Sequence, residues 1–234
     1  PRIRASADAA RPGAPPRPRL TRAPFRRTPR RMSRPRLLLP TPPRAPLEAL
    51  TAALPEALAT GTVACVRLDR PGAEAAELTR CADALREICH AADVPLLIAE
   101  HARLVAPLGL DGVEVAFRAA PLRKLRAELG RDAVLGVACA ASRHDGMTAA
   151  EAGADYVRFS PLAGSALGAA EPAPLDLFEW WGEMIETPVV AEGGLTEALA
   201  RDLGPHADFA APDPSAWEGA LAATLRTLAT ALGD

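Results

Sequence analysis

Residues 134–160 read VLGVACAASRHDGMTAAEAGADYVRFS. The run Val134–Ala138 is short, apolar and rich in Val and Leu, as a strand buried on both faces should be. Ser142-Arg143-His144-Asp145 then opens a helix over about 142–152. The serine hydroxyl can accept an orphan backbone N–H, and the acid suits the positive end of the helix. Gly153 stands where that helix should stop, and Asp155–Ser160 forms the next strand. Two buried strands joined by one helix predict a parallel, right-handed βαβ unit.

The same unit recurs on both sides. Strands are expected at Arg36–Leu39, Thr62–Leu68, Pro95–Ala99, Gly112–Ala116, Val134–Ala138, Asp155–Ser160, Pro188–Ala191 and Ala207–Ala211. Helices are expected at about 46–59, 73–92, 101–108, 120–129, 142–152, 174–186, 196–203 and 214–232. Eight units in unbroken alternation predict an α/β fold, a single (β/α)8 TIM barrel spanning 36–234. A G-x-G-x-x-G does not follow the first strand, which weakens a dinucleotide-binding sheet as the alternative. In the helix 73–92, Leu78, Cys81, Leu85, Ile88 and Cys89 recur at three-to-four spacing, so its cysteines read as core.

Charge is divided unevenly. Residues 1–36 hold 12 of the 27 Lys+Arg and, among acids, only Asp8. The rest carries 15 basic and 28 acidic residues. An acidic body argues against nucleic acid as a partner of the barrel. Residues 1–35, rich in Arg and Pro and without periodicity, read as a disordered basic tail. Met32-Ser33, just before the first strand, marks an alternative start. With no apolar run near the roughly 18 residues of a membrane span and no apolar signal segment, the expectation is a cytoplasmic protein without a membrane partner. Cys65, Cys81, Cys89 and Cys139 form no CxxC pair, and His90, His101, His144 and His206 suggest no metal cluster.

In such barrels the site lies at the C-terminal ends of the strands. Gly193-Gly194, after strand seven, suits close approach of backbone N–H groups to an anion, and equally suits a tight turn that needs glycine. Asp213, after strand eight, would oppose a bound phosphate unless it caps the last helix, the reading preferred here. Arg67 can hold an anionic substrate, or be claimed by neighbouring acids. Glu100 can ligate Mg2+, or remain solvated or paired. Ser165, in the glycine-bounded stretch 164–168, can donate to a phosphate or belong to a spacer. Cys139 lacks an adjacent activating base. Trp180 and Trp181 cannot both face inward, so one can mark an interface, and a homodimer is a candidate.

Over roughly residues 36–217 the chain resembles the thiamine phosphate synthase and thiazole tautomerase family. The resemblance rests on Cys89-His90-Ala91 through Leu96-Leu97-Ile98, Leu108–Val113, Leu135–Cys139, Glu151–Val157 with Phe159-Ser160-Pro161, and Pro188–Gly194. It implies a transferase of thiamine biosynthesis that joins an aminopyrimidine diphosphate to a thiazole phosphate and releases pyrophosphate, with Mg2+ as cofactor. It also implies Arg67 and Glu100 as catalytic residues, Glu100 as the metal ligand, and Gly193, Gly194 and Ser165 as the phosphate site. Several family positions differ. Gln-Leu-Arg-x-Lys becomes Arg67-Leu68-Asp69-Arg70-Pro71, and Asn-Asp becomes Ala99-Glu100. The metal-binding Asp falls at Ala119, and the His and Gly of that loop fall at Glu114 and Ala116. Thr-x-Thr-Lys becomes Ser165-Ala166-Leu167-Gly168, and Ser-Gly becomes Asp213-Pro214. Losing one preorganised charge-stabilising donor costs about 3–4 kcal/mol, so the standard reaction is expected to be slow unless Arg67, Arg70 or Arg118 substitutes. The alternative is a non-catalytic barrel that binds a phosphorylated thiazole-type ligand or a protein partner. A weaker alternative, a tautomerase, would draw its base from His101, Glu100 or Glu114.

Overall fold

The computed structural model describes residue 25, residues 35–162 and residues 172–233. Eight parallel strands close on themselves in sequence order: β1 (Arg36–Pro40), β2 (Val63–Leu68), β3 (Leu96–Ala99), β4 (Gly112–Ala116), β5 (Val134–Ala138), β6 (Tyr156–Phe159), β7 (Val189–Glu192) and β8 (Phe209–Ala211). β8 returns to pair with β1, so no sheet edge is left open. The surrounding helices are α1 (Leu47–Ala59), α2 (Ala75–Ala91), α3 (Leu122–Leu129), α4 (Arg143–Glu151), α5 (Leu175–Met184), α6 (Glu197–Leu203) and α7 (Leu221–Gly233). None of the described helices is long and apolar enough to cross a membrane.

Two expected helices differ from the sequence reading. The 101–108 helix is a single 3-10 turn, Ala102–Leu104. Glu100 enters it with φ 63° and Gly109 leaves it with φ 62°, while Pro107 cannot donate to a helical ladder. The 214–232 helix is a 3-10 turn, Pro214–Glu218, followed by α7; Gly219 at φ −137°, ψ −144° separates them. The Trp217 indole N–H on that turn donates to the Pro40 carbonyl at 2.9 Å, tying the last loop to the end of β1.

Three aspartates set the lower ends of the strands. Asp111, Asp155 and Asp208 each stand immediately before an even-numbered strand. Their carboxylates accept the backbone N–H of Leu96, Leu135 and Val189, at or near the start of the preceding strand. Each thereby satisfies a donor at a strand end that would otherwise be lost.

Most of the core lies between strands and helices; a second cluster fills the barrel. Inward-facing residues follow the two-residue strand period. Leu38, Cys65, Leu97, Tyr156, Val190 and Phe209 form the apolar interior. Phe25, inside the segment expected to lack regular structure, is 5% exposed. Its ring stacks on Tyr156 at 4.8 Å and lies 5.2 Å from Phe209. Two residues further along their strands, Cys65, Tyr156 and Val190 give way to Arg67, Arg158 and Glu192, so a charged layer lies above the apolar one.

Gly136 makes room for this interior, because a Cβ there would fall inside the Tyr156 ring. Gly136→Ala is therefore expected to lower stability by about 1–3 kcal/mol through overpacking. Urea denaturation measures this, and an unchanged midpoint would contradict the placement of Tyr156 within the barrel.

Candidate functional site

The charged layer sits at the C-terminal mouth, where the site was expected, but its charges face one another. Arg67 Nε and Nη2 each donate to Asp69 at 2.8 Å. Nη1 donates to Glu114 at 2.8 Å and to Glu192 at 2.9 Å, and Nη2 reaches the other Glu192 oxygen at 2.8 Å. A guanidinium has five N–H donors, and these contacts use all of them. Asp69 is held in turn: its backbone N–H donates to the buried Thr41 hydroxyl at 3.0 Å.

Arg158 completes the layer from β6. Its Nε lies 2.9 Å from Glu114 and 3.0 Å from Glu192, and its Nη1 donates to the Ser160 hydroxyl at 2.7 Å. The Tyr156 hydroxyl donates to the second Glu114 oxygen at 2.8 Å. Burial, and then the Glu114 charge, push the Tyr156 phenol well above its ordinary value, so it stays a neutral donor. Burial alone would raise the Glu192 carboxyl. The Arg158 and Arg67 guanidiniums outweigh it and hold that group at about 2.

The other candidates fall as follows. Arg70 is buried and donates to the carbonyls of Pro42 and Ala45. Arg118 is exposed on the loop after β4. Glu100 is exposed, and its Oε1 accepts the Ala116 N–H at 2.8 Å, which fastens the β3 loop to β4. Beside it, His101, Arg103, Lys124 and Glu128 line a cavity of 370 Å³. Among the described residues no three His, Cys, Asp or Glu side chains are grouped so as to hold a metal ion. Ser165 lies outside the described residues.

Gly193 and Gly194 adopt φ 92° and 72°, the left-handed region that glycine enters without strain. The Leu162 N–H donates to the Gly193 carbonyl at 2.9 Å. Asp213 does not cap the turn that follows it, contrary to expectation. Its Oδ2 accepts the Gly194 N–H at 2.8 Å instead, because the β7 and β8 loops are neighbours at the mouth. Its Oδ1 is buried without a hydrogen-bond partner.

Two further groups are structural. Cys139 is buried, and burial, with Asp145 next, pushes its thiol up to about 12, so no thiolate is available near neutral pH. Trp181 is fully buried with its indole N–H on the Thr187 carbonyl at 2.8 Å, while the Arg143 guanidinium covers the Trp180 ring at 4.1 Å.

Arg158 and Glu192 were not singled out from the sequence, although a signal existed. VACVRL, GVEVA, YVRF and VVAE each carry one charge inside an apolar strand. Two bases and two acids at buried strand positions must pair, because an unpaired buried charge is prohibitively costly.

The depressed Glu192 value predicts a pH effect. Its contribution to stability is fully present above its ordinary value of 4.5 and is lost as pH falls toward 2. Glu192→Gln should lower stability at pH 7 and flatten the acid limb between those values, as read by urea unfolding at stepped pH. An acid limb identical to that of the parent would show that Glu192 is not held by the two arginines.

Comparison with known proteins agrees with this architecture. The family model described as thiamine monophosphate synthase matches residues 37–209. The thiamine-phosphate synthase of Rhodospirillum centenum is 40% identical over 186 residues, covering 78% of this chain and 89% of the relative. That of Erythrobacter litoralis is 39% identical over 163 residues, covering 68% and 76%. The structure of thiamine phosphate pyrophosphorylase from Pyrococcus furiosus superposes with a TM-score of 0.73 at 19% identity, over 85% of this chain and 95% of that one, a likeness of fold. With a matching family model across most of the barrel and relatives of this closeness, the chain belongs to the thiamine monophosphate synthase family.

Proposed function

We propose that this protein serves thiamine biosynthesis in the cytoplasm as a slow transferase, joining an aminopyrimidine diphosphate to a thiazole phosphate and releasing pyrophosphate. Family membership over residues 37–209 carries the reading. The glycine turn kept at the mouth supports it, since the loops after strands seven and eight are the usual anion site of this fold. The diphosphate is the small phosphorylated ligand. Its departure concentrates negative charge, and catalysis there depends on donors fixed where that charge develops.

Those donors are depleted. All five N–H groups of Arg67 are spent on carboxylates. Arg70 is anchored to backbone carbonyls. Arg67 is therefore assigned to the support of the mouth and not to substrate. Arg118, exposed on the β4 loop, is the cation of the three expected substitutes that can still turn to a diphosphate. Glu114, bound by two arginines and a tyrosine, is a poor candidate for a tautomerase base. The same saturation of Arg67 favours, as a second reading, a barrel that keeps the ligand and has lost the chemistry.

Formation of thiamine phosphate by the full chain, given both phosphorylated halves with Mg2+, tests the proposal. A typical turnover of about 10 s⁻¹ reduced by two to three decades gives roughly 0.01–0.1 s⁻¹, and Arg118→Ala should reduce it further. Turnover of several per second would contradict a depleted site. Undetectable turnover with retained binding of thiazole phosphate would replace the proposal by the second reading.

A further inference from the structure

Arg67 and Arg70 are spent on the protein itself, but one guanidinium of the charged layer is not. Arg158 turns its Nε toward Glu114 and Glu192 and gives one N–H of Nη1 to the Ser160 hydroxyl. Of the five N–H donors of a guanidinium, the second on Nη1 and both on Nη2 have no partner among the described residues. Nη2 is not one of the buried nitrogens left without a hydrogen bond, so it reaches the surface. The side chain is 15% exposed, against 4% for Arg67.

The acceptors of the layer are turned inward instead. Both oxygens of Asp69, of Glu114 and of Glu192 accept from Arg67, Arg158 or Tyr156. Nη1 lies on Ser160, two residues further toward the C-terminal end of the barrel, so the free end of Arg158 points outward. Three carboxylates and two guanidiniums make up the layer, yet what it offers to a ligand is unspent donors. Such donors suit phosphoryl oxygens, which a planar guanidinium meets with two parallel N–H bonds. Arg158 is also fixed before any ligand arrives. Glu114, Glu192 and Ser160 hold its side chain, and its backbone lies in register between Ala138 of β5 and Val190 of β7. A donor held in place beforehand needs no reorganisation as charge develops on a leaving group.

We infer that Arg158 is a catalytic residue that binds the diphosphate of the aminopyrimidine and stabilises it as it departs. This rests on the proposal that the mouth carries out the transfer. As the thiazole nitrogen forms its bond to the methylene carbon of the pyrimidine, the bond from that carbon to the diphosphate oxygen breaks. The electron pair leaves with that oxygen. Arg158 stays protonated throughout and supplies hydrogen bonds, so it neither gives up nor gains a proton. The phosphate of the thiazole is left to the glycine turn after β7, so the two ligands depend on different donors.

The test uses the full chain with Mg2+ present, and calorimetry with inorganic pyrophosphate and thiazole phosphate as separate probes. Arg158→Lys keeps a cation beside Glu114 and Glu192 and removes the outward N–H groups. It should weaken pyrophosphate binding by about tenfold or more and lower kcat/KM for the aminopyrimidine diphosphate by about a hundredfold. Thiazole phosphate affinity should not change. If urea denaturation shows that the lysine variant folds poorly, Arg158→Gln combined with Glu192→Gln removes one charge of each sign. That pair should show the same loss relative to Glu192→Gln alone. An unmoved pyrophosphate affinity, a loss confined to or shared equally by thiazole phosphate, or a parent that does not bind pyrophosphate would overturn the inference. Turnover at the parent rate in Arg158→Lys removes the inference and leaves the transferase proposal standing. Absent turnover with a pyrophosphate affinity that depends on Arg158 leaves Arg158 as the diphosphate ligand and removes the transferase proposal.

Discussion

The mouth of this barrel is organised by one guanidinium. Arg67 on β2 binds Asp69 on its own loop, Glu114 on β4 and Glu192 on β7, and so links positions spaced around most of the ring. With Arg158 from β6, two positive and three negative groups share a layer that water barely reaches. Removing charges from water is expensive, and their mutual attraction offsets that only when every donor and acceptor is well placed. The geometry meets this condition at Arg67, where five N–H groups meet three carboxylates. Loss of one partner would strand the others in a poorly solvated interior.

This layer separates two different environments. Below it the interior is apolar and closed by Phe25 on Tyr156 and Phe209. Above it the loops carry whatever chemistry the protein performs. Tyr156 belongs to both regions, with its ring in the apolar packing and its hydroxyl on Glu114. Every N–H group of Arg67 meets a carboxylate of the chain itself, so the guanidinium ties the mouth together. The Asp213–Gly194 contact repeats the pattern at the neighbouring loop, where an acid of the chain takes a donor that a ligand would otherwise use.

The barrel was largely legible in the sequence because buried parallel strands are short apolar runs and helix boundaries carry local chemistry. Ser142 and Thr196 cap their helices as read, each hydroxyl accepting an N–H three residues on. The helix expected at 101–108 fails because apolar residues such as Leu104, Val105 and Leu108 look periodic, while Pro107 and the left-handed residues at either end allow only a turn. The partners at the mouth were harder to see. Arg67 and Glu192 are 125 residues apart, and Gly194 and Asp213 are 19 apart on different loops. Local pattern specifies that a buried charge needs a partner, and only closure of the ring determines which partner it meets.

The central claim is that Arg67 and Glu192 are coupled within a buried network and are not free groups awaiting a substrate. A double-mutant cycle of Arg67→Met and Glu192→Gln, read by urea unfolding at pH 7, measures this directly. The account predicts that the single changes are strongly non-additive, with a coupling energy of about 2 kcal/mol or more. Additivity within about 0.5 kcal/mol would contradict it and would return Arg67 to the set of residues available for ligand binding.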